Sequence, residues 1–99
     1  MKQSPEYYRA QLQRINLSDG VSKEEAIVIA QNYLIDQEAD KDFALSRPKV
    51  RDSKVIDGCW TVSFPRTLQK MLRYGPLWSV IEIDKRTGQI KSSGGWPDL

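Results

Sequence analysis

Histidine is absent, cysteine occurs once, and no apolar run approaches the roughly 20 residues that a membrane-spanning helix needs. Without imidazole, serine and cysteine triads that rely on a histidine base fall away, as do most zinc sites and the commonest general base near neutral pH. A lone Cys59 excludes an intrachain disulfide, so the fold must hold through its core. Glycine-rich phosphate loops are missing too: Gly94-Gly95 precedes no helical pattern. The opening residues, Met1-Lys-Gln-Ser-Pro-Glu-Tyr-Tyr-Arg9, carry no apolar segment of signal-peptide type, and a cytoplasmic location with no membrane partner is expected.

What is present is ordinary in bulk and uneven in distribution. Ninety-nine residues, 39% hydrophobic and 28% charged, suit one domain with one modest core, over residues 1–99. The net charge of +2 points to no particular partner, but residues 1–43 hold five basic and eight acidic side chains, and residues 44–99 hold ten and five. An acidic half is thus joined to a basic half, which reads first as mutual attraction between the two.

The best-specified element spans Val21 to Gln37. Ser22 and Glu25 form a capping box, each side chain satisfying an amide of the first turn. Ala26, Ile29, Ala30, Tyr33 and Leu34 recur at helical spacing and, with Ile27, make an apolar face roughly 160° wide. Before it, Ser4-Pro5 starts a short helix to about Ile15, with Tyr8, Leu12 and Ile15 on one stripe, and Asn16 to Gly20 is a turn. Asp36, Glu38, Asp40 and Asp42 alternate after the main helix. They resemble a calcium loop only superficially, because the sixth-position glycine is missing and Arg47 stands at the twelfth position, so no metal is expected.

From there the pattern turns to strands. Phe43 and Leu45 read as buried anchors of the connection, and Lys49–Ile56 as a strand with a bulge near Asp52-Ser53. Asp57-Gly58 is a hairpin signal leading into Cys59–Phe64, where Trp60, Val62 and Phe64 alternate with Thr61 and Ser63. Leu77–Ile83 is apolar on both parities and asks for cover on both faces. Asp84 to Gly88 is a hairpin loop, Gln89–Ser93 a short last strand, and Ser92-Ser93-Gly94-Gly95 loosens the chain before Trp96. Between the second and third strands, Thr67 caps one or two helical turns carrying Leu68, Met71 and Leu72, ended by Gly75. The order predicts an α+β fold: one or two N-terminal helices packed on a four-stranded antiparallel sheet.

Two patterns then stand together, the capped helix Val21-Ser-Lys-Glu-Glu-Ala-Ile-Val-Ile-Ala-Gln-Asn-Tyr-Leu34 and Trp60-Thr-Val-Ser-Phe64 with Ser79-Val-Ile-Glu-Ile-Asp-Lys-Arg-Thr-Gly-Gln-Ile90. Over residues 21–91 this resembles PepSY-type α+β domains and, equally, the small immunity proteins of bacterial toxin–immunity systems. The resemblance implies a non-enzymatic module that binds or inhibits another protein, such as a toxin or a peptidase, without a cofactor. The expected absence of a signal peptide favours the immunity-like branch. The 66–76 insertion and the first helix belong to neither pattern, and there a partner-specific surface is expected.

The candidate residues follow. Arg66, Lys70 and Arg73 align at i, i+4 and i+7 if their segment is helical, with Tyr74 and Trp78 nearby. Three readings of this stripe stay open: a solvated face opposite Leu68, Met71 and Leu72, a surface for an acidic protein, or a weak track along a nucleic-acid backbone. Trp96 reads as a core anchor or an interface aromatic. Glu82 and Asp84 are spaced like paired catalytic carboxylates, but Asp84 reads as a turn residue and Glu82 as an exposed strand position. With Cys59 beside a turn and no base near it, an enzyme is not expected.

Overall fold

The computed structural model describes residues 4–67 and 77–96. Helix α1 spans Pro5–Leu12 and helix α2 Lys23–Asp36, followed by strands β1 (Lys49–Asp52), β2 (Cys59–Pro65), β3 (Trp78–Asp84) and β4 (Ile90–Trp96). The strands form one antiparallel sheet in the order β1-β2-β3-β4, so the protein is α+β with two helices packed on a four-stranded antiparallel sheet. Among the described residues, no helix is long and apolar enough to cross a membrane.

Local chemistry explains why α2 forms where it does. The Ser22 hydroxyl accepts from the Glu25 amide at 3.1 Å, and the Glu25 carboxylate accepts from the Ser22 amide at 2.9 Å. The segment before the cap is tied to the sheet. The Val21 amide donates to the Lys85 carbonyl at 2.7 Å, and the Trp60 indole N–H donates to the Val21 carbonyl at 2.8 Å. Ala26 and Ala30 are fully buried, and such small side chains let the helix axis come close to the sheet. Leu34, Ile29 and Tyr33 flank them and close the layer over Val62, Phe64, Ile81 and Ile83. Val50 of β1 and Ile90 of β4 complete that face.

Helix α1 packs on α2 rather than on the sheet. Asn32, buried on α2, donates to the Tyr8 carbonyl and to its own helix at Val28, both at 2.9 Å. Arg9 bonds the Asn32 side-chain carbonyl at 3.2 Å and forms an ion pair with Asp36. That pairing places a cation beside an acid which would otherwise oppose the α2 dipole at its C-terminal end. The connection to β1 is anchored by Phe43 and Leu45, both buried as expected, and by Gln31, which donates to the Leu45 carbonyl at 2.8 Å.

Several boundaries differ from the sequence reading. The first helix stops at Leu12 rather than near Ile15, and Ser4 caps it without a side-chain hydrogen bond. Strand β1 ends at Asp52 with no bulge against β2; Val50 alone enters the core, while Val55 is 77% exposed in a loop. That loop turns on Ser53, whose hydroxyl accepts from the amides of Val55 and Ile56. Strand β4 runs through Ser92-Ser93-Gly94-Gly95, which pair with β3 instead of loosening the chain. A register shift between Glu82 and Ile83 leaves Lys91 as the extra residue of a bulge.

Candidate functional site

Strand alternation divides the sheet into a helix-covered face and an outer face. Val62, Phe64 and Ile81 take the first, so Thr61 and Ser63 of β2, Trp78, Val80 and Glu82 of β3, and Lys49 and Arg51 of β1 take the second. The registers set Lys49 opposite Ser63 and Arg51 opposite Thr61, with Glu82 on the far side of Thr61. Lys49 and Arg51 are exposed and line a shallow depression of about 410 Å³ with Val50 and Ser63. The Lys49 ammonium lies 4.9 Å from the centre of the half-buried Trp78 ring, an attraction between a cation and the electron-rich ring face.

Glu82 is only 5% exposed, so the exposed strand position expected for it is corrected. The Thr61 hydroxyl lies 2.9 Å from each of its carboxylate oxygens, and this contact offsets part of the desolvation cost of the buried acid. Asp84 serves the turn, as its position in the hairpin loop predicts. Its carboxylate accepts from the Arg86 and Thr87 amides at 2.7 and 3.1 Å, and these bonds hold its pKa below the usual carboxylate value. Cys59 is buried, and its thiol is pushed up by burial and then by the nearby Asp84 and Glu82 charges, which keeps it protonated and unreactive.

Of the residues singled out in the sequence, Arg66 and Trp78 are described together with the backbone of Trp96. Arg66 and Trp78 do not share a surface. Arg66 follows β2 at the parity of Phe64, and its guanidinium stands 5.7 Å from the ring of Phe43 on the helix-covered side, whereas Trp78 lies on the outer face. Trp96 ends β4 opposite Trp78 by backbone register. The helical turns expected over residues 68–74, with Lys70, Arg73 and Tyr74, lie outside the described residues, as does the Trp96 side chain.

Sequence reasoning missed Lys49 and Arg51. Their signal was available in the alternation Lys49-Val50-Arg51, which puts both cations on one face once Val50 is assigned to the core. A second cationic cluster is structural: Lys85 and Lys23 stand 4.3 and 5.7 Å from the Trp60 ring, and Lys85 pairs with Asp52. These contacts fasten the β3–β4 turn to β1 and to the start of α2. Among the described residues, no group of three or more acidic or cysteine side chains converges on a possible metal position. No family model matches this chain, and neither a curated protein nor a solved structure matches it.

Proposed function

We propose that this chain is a small cytoplasmic, non-enzymatic protein-binding module of the immunity-like kind, which occludes an acidic surface of a partner such as a toxin or a peptidase. The observation that carries this reading is the placement of Lys49 and Arg51, both exposed, beside the half-buried Trp78 on the sheet face opposite α2. Two cations on β1 and an aromatic ring on β3, placed on one face by the sheet, complement a carboxylate-rich rim. The PepSY-like and immunity-like sequence patterns support the same reading. The basic residues of segment 66–74 are the basis of the alternative, weak binding to nucleic acid.

Affinity capture of partners from the native cells, with the wild-type chain and with Lys49→Glu/Arg51→Glu side by side, tests the proposal. Both positions are exposed, so the double variant keeps its fold, checked by circular dichroism. Loss of a specific protein partner in the variant is the expected result, with at least about a tenfold weaker Kd, or 1.4 kcal/mol. A partner retained unchanged overturns the assignment of this face. Recovery of nuclease-sensitive material, with affinity falling steeply with salt, transfers the function to nucleic acid.

A further inference from the structure

Among the described residues, the four-stranded meander has two open edges, and they are built differently. Strand β1 is four residues long, follows Pro48, and carries Lys49, Arg51 and Asp52, the charged and abbreviated form that discourages pairing with another chain. Strand β4 is seven residues long, and its exposed residues 91–95 include one charge, Lys91.

The direction of its backbone groups follows from the ladder. The Asp84 amide donates to the Gln89 carbonyl and the Gly88 amide to the Asp84 carbonyl, so the polar backbone groups of Asp84 face β4. Alternation along an antiparallel pair then turns Glu82, Val80 and Trp78 toward β4, where their register mates are Ser92, Gly94 and Trp96. Ser93 and Gly95, lying between those mates, aim their N–H and C=O groups out of the sheet.

We infer that this edge pairs with the β4 edge of a second copy of the chain, antiparallel and centred on Ser93. The sequence of β4 is self-complementary about that residue. Ser93 meets Ser93, Lys91 meets Gly95, Ser92 meets Gly94 and Ile90 meets Trp96, so the one charged side chain falls opposite a glycine and never opposite its own copy. Gly94 has no positive φ, and a Cβ there would meet nothing within 4 Å, so the single chain gives no packing reason for a glycine. The two-fold axis stands perpendicular to the sheet, giving one eight-stranded sheet with both helical layers on the same side. The Tyr33 hydroxyl, 2.7 Å from the Ser93 hydroxyl, then lies at the junction. This surface is distinct from the outer face, so each can fail alone.

Sedimentation of the full chain at high micromolar concentration should show a dimer in equilibrium with monomer. In Cys59→Ser/Ser93→Cys, the paired Cα atoms come to about 5.5 Å, within disulfide reach, and mild oxidation should give a covalent dimer. In Cys59→Ser/Ser92→Cys the same register separates them by about 8 Å, and cross-linking should be at least about tenfold slower. As a second arm that keeps Cys59, Ser93→Glu and Ser93→Lys should each be monomeric, and their equimolar mixture should recover the dimer. A wild-type chain that stays monomeric, equal cross-linking at 92 and 93, or a mixture that remains monomeric would each overturn the proposal.

Discussion

Replacing Asn32 by Ala should detach α1 from the rest of the domain before anything else loosens. Asn32 is 3% exposed and forms three hydrogen bonds, donating to the carbonyls of Tyr8 and Val28 and accepting from Arg9. At about 1 kcal/mol net for each buried bond, and less for the part-exposed one to Arg9, Asn32→Ala should cost about 2–3 kcal/mol. For a domain of this size, that lowers Tm by roughly 10–20 °C. Asn32→Leu restores most of the lost volume, so the difference between the two variants measures the cavity and their shared loss measures the hydrogen bonds. Among the described elements α1 contacts only α2. Native-state hydrogen exchange should therefore accelerate in α1 while the amides of β2 and β3 keep their protection. A Tm within about 3 °C of wild type, with unchanged exchange in α1, would refute the reasoning.

Gly88→Ala and Gly58→Ala form a matched pair, since both glycines have positive φ, 78° and 77°. A Cβ on Gly88 would lie 2.9 Å from Leu17 Cδ1 and 3.1 Å from Ile29 Cδ1, whereas one on Gly58 meets nothing. Chemical denaturation should show about 1–2 kcal/mol lost at Gly58 from backbone strain alone and about 2–4 kcal/mol at Gly88; equal losses would refute the packing argument. At Asp84, the folded pKa lies below the unfolded one. Its stabilisation is complete above the unfolded value near 3.8 and is lost as pH falls through the lower folded value, so Asp84→Asn should flatten the acid limb of the stability curve. An NMR titration giving Asp84 an ordinary pKa would contradict this.

Sequence alone determined whatever depends on neighbours along the chain. The capping box of Ser22 and Glu25, the helical apolar face through Ala26, Ala30 and Leu34, the Asp84–Gly88 turn and the alternation of Trp60, Val62 and Phe64 are local patterns, and the structure carries each of them. From these the α+β class followed, because an apolar helix face and a half-apolar meander have one economical way to bury each other.

Tertiary structure decided what depends on register. Val55 looked as strand-like as Val50, but β1 ends at Asp52, and the core accepts only Val50. Gly94 and Gly95 have weak intrinsic strand preference and read as a tail beyond a last strand ending at Ser93, yet β3 supplies the ladder that holds them in place. Glu82, polar between Ile81 and Ile83, gave no sign of burial until the register set it beside Thr61. The candidate site divides the same way. Trp78 was legible as an aromatic beside the expected basic stripe, but Lys49 joins it through the sheet, and Arg66, the first cation of that stripe, is carried to the opposite face by one step of strand parity. Side-chain direction in a strand reverses at every residue, so only the paired sheet determines which charges share a surface.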